Sequence, residues 1–151
     1  MNVVERHTTA TPEEVWDVIA DGWTFPSWVV GASRMRAVEP AWPGVGGKLH
    51  HSVGGWPALI DDETAVLESE PRRRIVLQAR IRPAGEARVE ITLEPKDGGT
   101  LLRMAEDFTD GPLRLLPGIA RDVTIGPRNV ETLRRLAFLA ERRDLPDIPG
   151  R

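Results

Sequence analysis

The chain has 151 residues, 40% of them hydrophobic and 28% charged, with a formal net charge of -3. These values suit one soluble globular domain large enough for a proper core, and they argue against a general nucleic-acid surface, which needs a basic footprint. Zero cysteines exclude disulfides, zinc–thiolate sites and thiol nucleophiles together, and leave the compartment unassigned by redox chemistry.

Residues 2 to 9 read as a first strand ending in β-branched Thr8 and Thr9. Thr11 then makes a helix N-cap, Pro12 suits the first helical position, and Glu14 stands three residues after the cap. That spacing is a capping box, in which two side chains satisfy each other's orphan backbone donors. Val15, Trp16, Val18 and Ile19 give this helix a buried side, and Asp21-Gly22 ends it. Trp23 to Val30 reads as a second short helix interrupted by Pro26, with Gly31 as its terminator.

The middle of the chain reads as strands. Ser33 to Glu39 is one, with Met35 and Ala37 on one side, and Pro40 to Gly47 is a loop. Leu49, His51 and Val53 alternate with His50 and Ser52, before a turn at Gly54-Gly55. Residues 59 to 69 form a mixed strand. Ile75, Leu77, Ala79 and Ile81 then alternate with polar or outward positions, and Ala87, Val89, Ile91 and Leu93 repeat the pattern. Strict period-two alternation means one buried face and one wet face. Lys96-Asp97-Gly98-Gly99 is a hairpin turn, after which Leu102, Met104, Glu106 and Phe108 share one side of a last strand.

Residues 113 to 125 contain Pro117-Gly118 and read as irregular or a short helix. Pro127 is expected to open a final helix reaching about Arg143, with Val130, Leu133, Leu136, Ala137 and Ala140 on one stripe. The expected organisation is a single domain over 1-143 and a tail over 144-151. No basic-then-apolar leader follows Met1, and no apolar run approaches the about 18 residues of a membrane span. A cytoplasmic protein without stable membrane insertion is expected.

The aromatic content is lopsided. Trp23, Trp28, Trp42 and Trp56 all fall between the first helix and the middle strands, and there is no tyrosine. Two uses are open for them: covering a cavity mouth, or packing irregular loops.

The stretch Ala10-Thr11-Pro12-Glu13-Glu14-Val15-Trp16 with Asp21 resembles the opening of the START-like helix-grip superfamily. The closing Arg128-Asn129, Leu133, Leu136-Ala137 and Ala140-Glu141 also resembles that superfamily, and most closely its SRPBCC, or polyketide cyclase/dehydrase and lipid-transport, group. The resemblance covers nearly the whole chain. It implies an α+β helix-grip fold: a curved antiparallel sheet wrapped around a long C-terminal helix, with two short helices after the first strand and an apolar pocket between sheet and helix. The residues point the same way, because a sheet with one apolar face must bury it and the terminal helix is the only long partner.

The expected pocket is lined by Leu77, Ala79, Val89, Ile91, Met104, Leu133 and Ala137, with Trp28 and Trp56 near its entrance. Its expected occupant is an apolar or aromatic small molecule, lipid-like or polyketide-like. Three residues are candidates for acid–base chemistry. Glu106 falls inward by its parity with Met104; there it is either a desolvated general acid or base, or a structural carboxylate paired with an arginine. The resemblance places Val4, Arg6 and Thr8 inward, so an Arg6–Glu106 pair is one expectation, serving either to orient a polar ligand group or to plug one end of the cavity. His51 shares a parity with Leu49 and Val53, and Asp62 joins it if Thr64 and Val66 face in. An inward histidine suits proton transfer or is simply hydrogen-bonded core. His7, His50 and His51 lack the spacing of a metal site, and no cofactor is expected.

Three roles are therefore carried forward. The first is a binder of an apolar or aromatic small molecule. The second is a cyclase, aromatase or dehydratase using Glu106, His51 or Asp62. The third is an accessory protein with a filled cavity, a possible homodimer through Phe138 and Leu139, which lie off the helix stripe.

Overall fold

The computed structural model describes residues 1–53, 59–81 and 85–142. Trp56 and the tail over 144-151 lie outside them. Seven antiparallel strands form one curved sheet in the order β1-β7-β6-β5-β4-β3-β2. In chain order these are β1 (Asn2–Thr8), β2 (Ala32–Val38), β3 (Lys48–Val53), β4 (Ile60–Glu70), β5 (Arg74–Ile81), β6 (Gly85–Lys96) and β7 (Gly99–Asp110). Two short helices, α1 (Pro12–Ala20) and α2 (Phe25–Trp28), follow β1, and a long helix, α3 (Gly118–Arg142), closes the chain. This is the α+β helix-grip architecture.

Local chemistry explains most of these elements. The Thr11 side chain accepts from the Glu14 amide at 3.2 Å, and Glu14 accepts from the Thr11 amide at 3.0 Å, completing the capping box at α1. Val15, Val18 and Ile19 are buried on that helix, as the apolar spacing demands. A single 3-10 turn, Gly22–Thr24, separates α1 from α2, so the expected Trp23–Val30 helix is only four residues long. At the β6–β7 hairpin Lys96 pairs with Gly99. The two linking residues, Asp97 and Gly98, both have positive φ, 51° and 77°, the backbone that a two-residue turn with the strands' own twist requires.

Tertiary packing overrode the local pattern in three places. Met35 and Ala37 do not share a face, because β2 carries register shifts between Ala32 and Arg34 and between Met35 and Ala37. Each bulge adds a residue, so Ala32, Met35 and Val38 pack on the core while Ala37 is exposed. The final helix does not open at Pro127. It starts nine residues earlier at Gly118 and runs through the proline. Pro127 has no N–H to give the Val123 carbonyl. Val123 is exposed, and the first turns are held by Ile125 packing on Ala87, Phe108 and Leu113.

The third difference is the stripe itself. Leu133, Leu136, Ala137 and Ala140 are buried as expected, but Val130 is 52% exposed. Its place is taken by Asn129 and Thr132, both buried. Apolar periodicity misses such a rotation because the two polar residues have internal partners that make their burial tolerable. Leu139, expected on the exposed side, packs partly against the core, and Phe138 is 53% exposed.

The lower half of α3 lies against β1, α1 and α2 rather than over the centre of the sheet. Leu133, Leu136, Ala137 and Ala140 join Val15, Ile19 and Leu102 in one apolar cluster there. The concave face of β3 to β6 is left less closely covered, and that offset makes the cavity.

Candidate functional site

The cavity lies between α2, α3 and the concave sheet. Its wall is built by period-two alternation on neighbouring strands: Leu77 and Ala79 from β5, Val89 and Ile91 from β6, Met104 from β7. Register brings these side chains level, since Leu77 pairs with Val89 and Ile91 with Met104. Phe25 and Trp28 of α2 close one side, and Val29 to Ala32 form the rim. The unfilled space, counted out to the mouth and including the open solvent there, is about 680 Å³.

Six of the expected pocket-lining residues meet at this cavity, Trp28, Leu77, Ala79, Val89, Ile91 and Met104, together with the acid–base candidates His51 and Glu106. Leu133 and Ala137 are not among its lining residues; they are buried in the apolar core that α3 shares with α1, α2 and the sheet. Phe25, Thr64, Arg128 and Thr132 also line the cavity, though none was expected among its lining residues. Thr64 was legible, having the same parity as Val66. Thr132 accepts the Val30 amide at 3.2 Å, tying α3 to the rim of the cavity.

The tryptophans separate by environment. Trp28 is 1% exposed in the cavity wall. Trp42 is loop packing, its indole N–H donating to the Ile19 carbonyl at 3.0 Å. Trp23 is exposed.

Glu106 faces inward and is fully buried at the β7 end of the cavity. Its expected partner Arg6 is elsewhere. In the β1–β7 register Asn2 stands opposite Glu106 and Arg6 opposite Leu102. Four residues of strand are about 13 Å, so Arg6 is exposed and lines a separate surface groove with Arg134, Arg135 and Phe138. The cation comes from α3 instead. Arg128 donates one nitrogen to both Glu106 oxygens, at 2.6 and 2.8 Å, and Asn129 donates to Oε2 at 2.8 Å. Asn129 also reaches Asn2 Oδ1 at 3.4 Å, and Asn2 donates to Asp122 at 3.3 Å. Glu106 thereby fastens α3 to β7. Three donor contacts suit an acceptor-only carboxylate.

His51 is 4% exposed and lies in the same cavity, its Nε2 hydrogen-bonded with Thr64 Oγ1 at 2.9 Å. Its ring faces Phe25, with centroids 5.4 Å apart. Burial holds the imidazole below its usual value of 6.5; Asp62 pulls it up, while Arg36 and His50 push it further down. Asp62 is the cross-strand partner of His51 on the inner face, buried, and accepts the Glu63 amide at 3.0 Å. It is not among the residues lining the cavity. Glu106 and His51 share the cavity but stand on β7 and β3, four inter-strand steps apart in the sheet. At about 4.8 Å per step that is about 19 Å along the curved surface, so they enter the cavity from well-separated strands. His50 points outward to Glu39, at 2.7 Å. Among the described residues no cluster of histidine and carboxylate side chains could hold a metal ion, and no helix is long and apolar enough to cross a membrane.

A curved seven-stranded sheet gripping a C-terminal helix over an apolar hollow defines a helix-grip protein. The chain belongs to the polyketide cyclase / dehydrase and lipid transport family, whose model matches residues 3–140. No curated protein matches the sequence significantly. Among solved structures, protein NE0264 from Nitrosomonas europaea superposes with a TM-score of 0.72 at 14% identity, covering 93% of this chain and 94% of that one. A protein from Rhodobacter sphaeroides is 25% identical, with a TM-score of 0.68, and covers 92% and 90% of the two chains. The di-domain ARO/CYC protein StfQ of the steffimycin biosynthetic pathway matches at a TM-score of 0.72 and 12% identity, covering 93% of this chain and 50% of that one.

Proposed function

We propose that this protein binds an apolar or aromatic small molecule, lipid-like or polyketide-like, in the cavity between its sheet and α3. The observation that carries this reading is the wall itself, in which Phe25, Trp28, Leu77, Val89, Ile91 and Met104 converge with few polar groups. That is the composition of a small-molecule site. Burying ligand surface there gains about 25 cal/mol per Å2 before association costs. Membership of a family described by polyketide cyclases and lipid transport, and a fold shared with half of StfQ, agree with it.

The test is native mass spectrometry and equilibrium dialysis against a panel of aromatic and lipid compounds, using the wild type and Ala79→Trp. Micromolar binding that Ala79→Trp abolishes is expected, because an indole at that position fills the hollow. If no compound binds, or Ala79→Trp binds as the wild type does, the cavity has a different role.

A second reading is a cyclase- or dehydratase-type enzyme. It is favoured by one observation: His51 lines the cavity with Nδ1 buried and without a hydrogen-bond partner. Burial pushes its imidazole below the usual value, which favours the neutral form a base needs. Glu106 fits this role less well, being held by Arg128 and Asn129. Turnover of a polyketide-like substrate by the wild type that persists unchanged in His51→Gln excludes His51 as its base.

A further inference from the structure

Away from the cavity, α1 and the second half of α3 carry opposite charges in two rows. Glu13, Asp17 and Asp21 recur at every fourth position along α1 and its C-cap, all exposed, in a segment with no basic residue. Like charges at this spacing repel one another. Among the described residues, neither Glu13 nor Asp17 has an ion-pair partner.

On α3, Arg134, Phe138 and Arg142 recur with the same step. Phe138 is 53% exposed, and the Arg142 guanidinium lies 4.7 Å from the centre of its ring. That cation–π contact holds the charge in place. Arg134 and its neighbour Arg135 share the one carboxylate of Glu131, at 3.1 and 3.0 Å, so positive charge is left over. Glu13 to Asp21 and Arg134 to Arg142 are equally long, about 12 Å at the helical rise.

The two helices pack directly on each other. Between their rows runs a groove lined by Val18, Thr24, Leu139 and Arg142. Trp23, 60% exposed, borders its acidic side, where the Asp21 carboxylate accepts the Trp23 amide at 3.3 Å. Exposed tryptophan, phenylalanine and arginine are the residue types that interfaces favour. None of these residues lines the ligand cavity.

A face with an acidic bank, a basic bank and an apolar groove between them is complementary to itself. Turned about a two-fold axis, the acidic row of each copy meets the basic row of the other, and both contacts form together. A foreign acidic partner would cover the arginines and leave the α1 carboxylates unmatched.

We propose that this face is the contact surface of a two-fold homodimer, in which the α1 carboxylates of each copy pair with the α3 arginines of the other around Phe138. Exposed ion pairs contribute modestly and are screened by salt, so the dimer is weak and salt-sensitive. The cavity lining takes no part in the contact.

The experiment is sedimentation of the full chain from about 10 μM to about 1 mM, the range in which a weak dimer forms. The wild type is expected to pass from monomer to dimer at low salt, and less so at about 0.5 M salt. Glu13→Lys/Asp17→Lys and Arg134→Glu/Arg142→Glu each set like charges opposite one another, so each alone should associate at least about tenfold more weakly. Mixed in equal amounts, the two variants should associate again as a heterodimer, because the reversed rows match. Circular dichroism checks that both are folded; should a double variant fail to fold, Asp17→Lys and Arg134→Glu make the same comparison. Phe138→Ala should weaken the wild-type dimer as well. A wild type that stays monomeric throughout, charge-reversed variants that associate as it does, or a mixture of folded variants that stays monomeric overturns the inference.

Discussion

Replacing Arg128 by alanine removes both contacts to Glu106, at 2.6 and 2.8 Å, and leaves a fully buried carboxylate with Asn129 as its remaining partner. Breaking a buried ion pair by deleting one member costs about 3–5 kcal/mol. The Arg128 side chain is 32% open to solvent, whereas that of Glu106 is 1% exposed. Solvent weakens the pair, so the low end applies, about 3 kcal/mol. At about 2–4 °C per kcal/mol for a chain of this size, Arg128→Ala should lower Tm by about 6–12 °C. The reverse deletion is expected to be milder. In Glu106→Leu the freed guanidinium can turn to water, and leucine suits an apolar wall. The double variant should then be more stable than the two losses added together, by at least about 1.5 kcal/mol. Urea unfolding of the wild type, both single variants and the double variant closes the cycle. A loss below about 1 kcal/mol for Arg128→Ala, or additivity in the double variant, refutes the assignment of this pair as the fastener of α3.

The buried His51 makes a pH prediction. Its folded value lies below the ordinary 6.5, so the unfolded chain binds the proton first, and stability falls as pH drops through the window below 6.5. Above about pH 7 both states are neutral and this effect vanishes. The stability of the wild type relative to His51→Gln should therefore be constant from about pH 7 upward and decline below 6.5; an NMR titration placing His51 at or above 6.5 would falsify the argument. On α3, Val130→Asp should change stability by less than about 0.5 kcal/mol, because Val130 is 52% exposed. Leu136→Ala, at a residue 0% exposed, should cost about 2–5 kcal/mol; the opposite ranking in chemical denaturation would place the stripe one position away. Pro127→Ala restores an N–H within α3 and should stabilise the protein by about 1–2 kcal/mol. A decrease would show that the proline sets a kink the packing needs.

The candidate site was partly legible before folding. Parity along β5, β6 and β7 placed Leu77, Ala79, Val89, Ile91 and Met104 on one face, and the Lys96–Gly99 turn carried that parity across to Glu106. Trp28 also belongs to the wall. What parity cannot give is the position along a strand. Arg6 and Asn2 have the same parity, and only the register sets Asn2 against Glu106. Nor can helical periodicity identify a polar residue that is buried because it has a partner, as Asn129 and Thr132 are.

Backbone preferences and short-range alternation are properties of a few neighbouring residues, and the sequence by itself determined them: the capping box at α1, the hairpin at Asp97-Gly98, the inward faces of β5, β6 and β7 and the resemblance to the helix-grip superfamily. Contacts between residues distant in the chain depend on how whole elements slide and rotate against one another. The tertiary structure alone decided that α3 begins at Gly118, that Arg128 and not Arg6 meets Glu106, and that Leu133 and Ala137 pack toward α1. The offset of that helix toward β1, fixed by packing on α1 and β1, is what leaves a hollow over the middle of the sheet.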